Sequence, residues 1–191
     1  MPRKTRVWVP DYYYHIGCRG NRKEDLFKDD HDFQLFLQLL QKVKAKTSFE
    51  LASYCLMSNH YHLLLRSKKH PISKVMFLLN KQYADYYNKK YELTGHVFEK
   101  RYFDKLIGDR YGLLRISQYI HLNPVEAGLV KVGQSYPWSS YRDYLNAANS
   151  QLLNTKVILD CFPGGAMEKR EGYKKFVEME DQRLEVESVY E

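Results

Sequence analysis

Four stretches of the chain combine apolar, β-branched and aromatic residues in the short runs typical of β-strands. The four predicted strands are residues 12–18, 49–57, 61–66 and 97–107. A polar turn at residues 58–59 joins the second and third strands into a hairpin. Because Leu63, Leu64 and Leu65 are consecutive, we expect the third strand to be covered on both faces and to lie inside the sheet.

Apolar residues recur at helical spacing in two further stretches, and each stretch follows a residue suited to cap a helix. Asp29 or Asp30 precedes the first stretch, which reaches to about residue 43. Ser73, which follows Pro71, is the predicted cap of the second stretch, and residues 94–95 end it. Both helices carry an apolar stripe, so we expect them to pack on the sheet.

A third helix is predicted to begin after Asp109 and to end near Asn123. At about 100° per residue, Tyr119 and Asn123 lie about 40° apart along one edge of its apolar stripe. Such an edge borders the crevice between helix and sheet, where a tyrosine hydroxyl can reach the sheet. Pro124 is expected to limit the helix, because the residue before a proline is pushed away from helical geometry. Asn123 then has a second interpretation, as the cap of a short segment that starts at Pro124.

The order strand, helix, strand, strand, helix, strand predicts an α+β fold of the ferredoxin-like split βαβ type. Its antiparallel sheet carries both helices on one face and leaves the other face open for a ligand. Residues 1–130, which include the third helix, are the predicted main domain. Residues 131–191 are a predicted small C-terminal helical extension, with two short helices around residues 162–165 and a frayed tail containing Glu185, Glu187 and Glu191.

Composition points to an anionic partner. The chain has 191 residues, a net charge of +7 and 30 Lys and Arg residues, and nucleic acid is the commonest partner of such a protein. The 17 tyrosines strengthen this interpretation, since aromatic side chains among basic ones can stack on unpaired bases.

The cysteines and the apolar runs bear on the compartment. Cys18, Cys55 and Cys161 have no paired spacing, so we expect reduced thiols and a cytoplasmic, nucleoid-associated protein. No apolar run reaches membrane-spanning length, and the first residues lack the apolar segment of a secretory signal. We therefore expect no membrane partner.

The most suggestive chemistry is the pair His60 and His62 at the start of the third strand. Alternate residues of a strand share a face, so the two imidazoles project side by side. Neutral imidazole binds divalent metals well, and two on one stiff strand form half of a coordination sphere. The alternative is that both are ordinary strand residues, because a bare His-x-His pattern is short.

Two motifs in a fixed order resemble a known family. Residues 57–65 (MSNHYHLLL) and residues 118–129 (QYIHLNPVEAGL) are similar to the single-tyrosine transposases of the HUH endonuclease superfamily, in their REP-associated branch. Residues 14–21, 97–101 and 136–141 support the resemblance, which covers about residues 10–145.

The resemblance implies a metal-dependent, transposase-like nuclease and strand transferase that cuts single-stranded DNA near hairpins. Tyr119 would be the nucleophile that forms a 5′-phosphotyrosine, and His60 and His62 would bind a divalent metal, Mg²⁺ or Mn²⁺. Asn123 would stand where many members have a glutamine, so Glu126, Glu99 or water remain alternatives for the third ligand. The resemblance is compatible with a monomer or a homodimer.

The implied partner is single-stranded or hairpin DNA, and basic and aromatic side chains outside the motifs are candidates for holding it. The predicted DNA-binding residues are Arg19, Arg22, Lys23 and Trp138. Two other functions stay open from the residues: a nucleic-acid-binding module of the same fold that does not cut, and a metal phosphoesterase that uses water instead of Tyr119.

Overall fold

The structure is a computed structural model, and it describes residues 8–146 and 150–179. Its strands are β1 (Tyr13–Arg19), β2 (Glu50–Met57), β3 (His60–Arg66) and β4 (Phe103–Ile107). They form one antiparallel sheet in the order β2-β3-β1-β4, so β3 lies inside the sheet as predicted. The tail for which fraying was expected lies outside the described residues.

Helices α1 (Asp30–Thr47) and α2 (Ile72–Lys90) cover one face of the sheet. Their apolar stripes meet the side chains of Ile16, Tyr61 and Leu63 in a core of fully buried residues. The Tyr61 ring lies 4.8 Å from the ring of Phe36 on α1. Because successive strand residues point to opposite faces, Tyr61 in this core turns His60 and His62 toward the other face. The predicted α+β, split βαβ architecture is confirmed.

The two caps differ in outcome. The Asp29 side chain accepts a hydrogen bond from the Asp32 backbone N–H, which confirms the predicted start of α1. The predicted Ser73 cap of α2 is wrong, since the helix begins at Ile72 after Pro71 and has no side-chain cap. Ile72 is buried in the core, so packing of this residue, rather than a hydroxyl, sets the first turn.

The second face of the sheet is covered by helix α3 (Arg110–Glu126) and by three C-terminal helices. These are α4 (Tyr141–Leu145), α5 (Lys156–Leu159) and α6 (Ala166–Glu178). Cys55 and Leu64 of the sheet pack in one cluster with Ile120, Tyr144 and Tyr173 from the helices. The face was expected to be open, but its buried residues form a second core. Helices α5 and α6 flank residues 162–165 as predicted.

Helix α3 is capped by Asp109, as predicted, but it continues past Pro124 to Glu126. Proline removes the backbone N–H that would bond the Ile120 carbonyl, and its ring crowds that carbonyl, which costs about 3 kcal/mol in a helix interior. Ile116, Ile120 and Leu122 are buried in the second core, and their packing holds the helix across this position. The prediction that Pro124 ends the helix is therefore wrong by three residues, and Asn123 is a helical residue rather than a cap.

The predicted strand over residues 97–107 is confirmed only for Phe103–Ile107. Before it, Phe98 forms an isolated bridge with Gly20 and the rest is irregular. Val97 and Tyr102 are both buried in the first core. Five positions separate them, and a continuous strand would place them on opposite faces, so the chain must bend between them.

The C-terminal residues also complete the outer edge of the sheet. The Leu56 N–H donates to the Trp138 carbonyl, and the Ser140 N–H donates to the Tyr54 carbonyl. A bulge in β2 lies between Leu51 and Ser53, and the carbonyl of Ala52 there accepts from the Tyr144 hydroxyl. An exposed strand edge can pair with other chains, and this cover prevents that.

Two further expectations can be compared with the structure. Cys18, Cys55 and Cys161 are free thiols, as predicted. Among the residues that the structure describes, none of the helices combines the length and apolar character needed to cross a bilayer.

Candidate functional site

The site begins with the two histidines of β3. The rings of His60 and His62 lie on the face of the sheet that α3 covers, with centroids 5.1 Å apart. His62 is fully buried and His60 is partly buried. The strand lies between two others, so both imidazoles are carried on a rigid support.

Each of the two imidazoles is oriented through its Nδ1 atom. His60 Nδ1 lies 2.6 Å from the side-chain oxygen of Asn59, and His62 Nδ1 lies 3.0 Å from Nε2 of His15. Histidines that bind metals commonly use one ring nitrogen for the ion and the other for a hydrogen bond that fixes the ring. In this arrangement Nε2 of each histidine is the nitrogen that would bind a metal.

His15 was not among the predicted site residues. It stacks on His62 with ring centroids 5.1 Å apart and meets the Tyr119 ring edge-on at 5.7 Å. In the register of β1 and β3, Gly17 lies directly opposite His62, so no side chain stands between the two imidazoles. His15 was missed because the pairing register of β1 and β3, which are distant in sequence, cannot be read from the sequence.

Helix α3 brings Tyr119 and Asn123 to the histidines. The Tyr119 ring lies 5.3 Å from the His62 ring, centroid to centroid. Asn123 Oδ1 is 3.3 Å from Nε2 of His60, and the Asn123 side chain is also hydrogen-bonded to Tyr119. One amide therefore connects the phenol to the histidine pair.

Burial sets the protonation states at the site. It lowers the pKa of His60 to about 4 and that of His15 to about 3, and it holds the pKa of His62 well below the usual value. All three imidazoles are neutral at neutral pH, the form that binds metals. Burial raises the pKa of Tyr119, while the hydrogen bond from Asn123 lowers it because it favours the phenolate. The negative charge of Glu126 raises the pKa of Tyr119 further.

The donor set fits a divalent cation. A neutral imidazole has one N–H, and the shorter contact of His60 is that of Nδ1 with Asn59, so we assign the proton to Nδ1. Nε2 then turns a lone pair toward Asn123 Oδ1, which is also an acceptor. Two acceptors that face each other across 3.3 Å suit a cation that binds both.

The predicted DNA-binding residues are placed differently from one another. Arg19 pairs with His60 in the strand register, and its positive charge lowers the pKa values of His60 and Tyr119. Arg22 and Lys23 are exposed in the adjoining turn, with left-handed φ angles of 54° and 63°. Trp138 stacks on Phe33 of α1, with ring centroids 4.6 Å apart, so one face of its indole is used for packing.

A second group of potential metal ligands lies at the start of α1, where Asp29, His31 and Asp32 come together. The Lys90 ammonium is 2.7 Å from both carboxylates, and the Tyr86 and Tyr91 hydroxyls donate to Asp32. Lys90 supplies the positive charge that these carboxylates require, so this cluster is an ion-pair network that joins α1 and α2.

The sequence and the fold are similar to those of known transposases. A model of the family described as Transposase IS200 like matches residues 8–123. A REP-associated tyrosine transposase from Haemophilus influenzae is 29% identical over an alignment of 105 residues, and the alignment covers 49% of this chain. The chain spans 59% of that curated relative's length.

A solved structure is similar in fold. It is described as a REP-associated tyrosine transposase bound to a REP hairpin, and it aligns with a TM-score of 0.65 at 17% identity. The alignment covers 81% of this chain and 98% of that one. The family match covers more than half of the sequence, and it includes the first motif and residues 118–123 of the second, so the chain belongs to the family of IS200-like transposases.

Proposed function

We propose that this protein is a metal-dependent endonuclease and strand transferase that cuts single-stranded DNA near hairpins through a 5′-phosphotyrosine. The observation that carries the proposal is the meeting of Tyr119 with the histidine pair: its ring is 5.3 Å from His62, and Asn123 links it to His60. Membership of a transposase family supports the same chemistry. We place this activity in the cytoplasm, at the nucleoid.

In the proposed reaction the Tyr119 oxygen attacks the scissile phosphorus. A bond forms between this oxygen and phosphorus, and the bond from phosphorus to the 3′ oxygen breaks. The phenol proton passes to solvent, and the leaving oxygen takes up a proton to become a free 3′-hydroxyl. In the reverse sense, the 3′-hydroxyl of another strand attacks the phosphotyrosine and releases Tyr119, which joins strands without an external energy source.

Asn123 would serve both parts of this reaction. Its N–H donates to the Tyr119 oxygen, which favours the phenolate that attacks. Its carbonyl oxygen faces His60, so His60, His62 and Asn123 together would hold the metal. A bound Mn²⁺ or Mg²⁺ would polarise the phosphate and stabilise the leaving oxygen. The mixed nitrogen and oxygen set suits Mn²⁺ better than Mg²⁺, which prefers oxygen ligands.

We propose single-stranded or hairpin DNA as the substrate. The Tyr119 phenol is half-buried between helix and sheet, and its crevice would admit the phosphate of an unpaired strand but not a duplex. Arg19 beside the site and the exposed Arg22 and Lys23 in the next turn would neutralise backbone phosphates. The relative described with a bound REP hairpin supports hairpins as the form of DNA that is held.

The test is a covalent adduct. The protein is incubated with labelled single-stranded hairpin DNA and Mn²⁺, and a denaturing gel detects DNA attached to protein. We expect an adduct with the parent and with Tyr111→Phe, a control on the exposed part of the same helix, and none with Tyr119→Phe or His60→Ala. Cleavage without an adduct would identify a water-using phosphoesterase, and binding without cleavage would identify a binding module.

A further inference from the structure

Helix α3 has a second polar group, on the side opposite Tyr119. Ser117 and His121 lie four residues apart and therefore share one side of the helix. Tyr119 is two residues from each, about 160–200° around the helix axis. Ser117 and His121 are both fully buried, and the proposed reaction does not use either of them.

Both residues belong to a chain of hydrogen bonds that crosses three elements. Ser53 of β2 is 2.7 Å from Ser117, whose hydroxyl is 2.6 Å from that of Tyr173 on α6. The Tyr173 hydroxyl is 2.7 Å from His121 Nδ1, and His121 Nε2 is 2.8 Å from the Ser140 hydroxyl. Ser140 returns to β2 by bonding the Tyr54 carbonyl. The chain therefore starts and ends on one strand.

The directions of the bonds in this chain are linked, because each hydroxyl and the neutral imidazole has one proton to donate. If Ser140 gives its proton to the Tyr54 carbonyl, the N–H in its contact with His121 belongs to Nε2. Burial lowers the pKa of His121 to about 3, and the neutral ring leaves Nδ1 as an acceptor from Tyr173. Ser117 then donates to Tyr173. Ser53 donates to Ser117, because each hydroxyl has one proton.

A second contact joins the same two helices. Gln118, the residue before Tyr119, donates its side-chain N–H to the Phe176 carbonyl of α6 at 2.8 Å. Buried hydrogen bonds of fixed direction resist rotation of a helix more strongly than apolar contacts, because a rotated helix would leave buried polar groups unpaired. At a radius of about 6 Å, a rotation of about 10° moves the end of a side chain by about 1 Å.

We propose that Tyr173 is a positioning residue for the nucleophile: by bonding Ser117 and His121 it holds α3 at the rotation that points Tyr119 at the histidine pair. The C-terminal region is then a working part of the site, although the family match ends at residue 123. The inference rests on the proposed function, in which Tyr119 attacks DNA.

The experiment compares Tyr173→Phe with Tyr136→Phe. Tyr136 is also a buried tyrosine of the second core, and its hydroxyl donates to the Leu56 carbonyl of β2 at 2.8 Å. Each variant loses a buried hydroxyl, but only Tyr173 bonds α3. Ser140→Ala is a second test variant, because it breaks the same chain at the other nitrogen of His121.

Two measurements are made on each folded variant. The first is the single-turnover rate of adduct formation with hairpin DNA, together with the affinity for that DNA. The second is the set of NMR contacts between the Tyr119 and His62 rings in protein without DNA. We expect Tyr173→Phe and Ser140→Ala to slow adduct formation about tenfold or more with unchanged DNA affinity, and to weaken the ring contacts. Tyr136→Phe should leave both at the parent level.

The inference is overturned if Tyr173→Phe and Ser140→Ala keep the parent's ring contacts and rate, or if Tyr136→Phe lowers the rate as much as they do. A parent protein that shows the ring contacts but forms no adduct would contradict the proposed function. In that case the ring contacts of the variants still decide the positioning role.

Discussion

Asn123 stands between the two chemical parts of the site, with its oxygen toward His60 and its N–H toward Tyr119. In the proposed reaction the two ends of the amide would have different roles, since the oxygen would bind the cation and the N–H would favour the phenolate. A carboxylate in its place would keep the first role and lose the second. The two roles of Asn123 can therefore be tested separately by one substitution.

We predict that Asn123→Asp will bind Mn²⁺ about tenfold more tightly and form the DNA adduct more slowly. The added charge attracts the cation, but it also raises the pKa of Tyr119 and removes the N–H donor. Calorimetric titration with Mn²⁺ and single-turnover adduct formation measure the two effects. Faster adduct formation in Asn123→Asp would show that the N–H bond to Tyr119 has no role.

We propose that His15, which is buried, supports the metal site through His62. It bonds His62 at Nδ1, and such supporting partners typically change metal affinity by about 10–100-fold when they are lost. We predict that His15→Gln raises the dissociation constant for Mn²⁺ by a factor in that range and leaves hairpin DNA affinity unchanged. His96→Gln, at an exposed histidine, is the control. Equal Mn²⁺ affinity in the two variants would exclude the supporting role.

At the scale of elements, α1 and α2 are joined by the Asp32 carboxylate. Asp32 is fully buried and accepts from Lys90, Tyr86 and Tyr91 at 2.6–2.7 Å. Burial raises the pKa of this carboxyl, but these hydrogen bonds outweigh burial and lower its pKa to about 2. The unfolded value is about 3.9, so the folded protein holds the charged form more strongly.

We predict that Asp32→Asn lowers the free energy of unfolding by about 3 kcal/mol at neutral pH, because buried donors lose a charged acceptor. A lowered pKa stabilises the fold above the unfolded pKa, so the difference from the parent should shrink as the pH falls from about 4 to about 2. Urea unfolding of both proteins at several pH values measures this difference in the free energy of unfolding.

The control for this prediction is Asp85→Asn, at an ion pair whose side chains are 58% and 64% exposed. An exposed pair contributes about 0–1 kcal/mol, so this variant should unfold close to the parent. If Asp32→Asn is no less stable than Asp85→Asn at neutral pH, the ion-pair network between α1 and α2 does not stabilise the protein.

The turn after β1 carries Arg22 and Lys23, both exposed and next in sequence to the strand that bears Arg19. We predict that the double variant Arg22→Gln, Lys23→Gln reduces the slope of log affinity against log salt by about 1.4 for single-stranded contacts. A matched control is Lys42→Gln, Lys46→Gln on α1, which removes the same charge. Equal slopes in the two double variants would argue against phosphate contacts by this turn.

For the whole molecule, the site is formed within one chain. Tyr119 reaches the histidines of its own sheet, with its ring 5.3 Å from that of His62. We therefore predict that a mixture of Tyr119→Phe and His60→Ala proteins forms no DNA adduct, since neither chain has a complete site. Adduct formation by the mixture would mean that the helix with the tyrosine acts on a partner chain, as in an exchanged homodimer.

The sequence by itself determined the parts of this protein that depend on neighbouring residues. The first three strands, the helix periods, the Asp29 and Asp109 caps and the burial of both faces of β3 follow from local pattern, and the structure agrees with them. Two histidines at alternate positions of one strand share a face by geometry alone, so their proximity needed no tertiary information.

The tertiary structure decided what depends on contacts between distant segments. His15 joins the site through a strand register, and α3 passes Pro124 because its buried residues hold it. The C-terminal helices cover a face that the pattern left open, because a strand pattern shows which side is apolar and does not show which segment will cover it. Local periodicity specifies the elements, whereas packing across the sheet specifies which of their side chains meet.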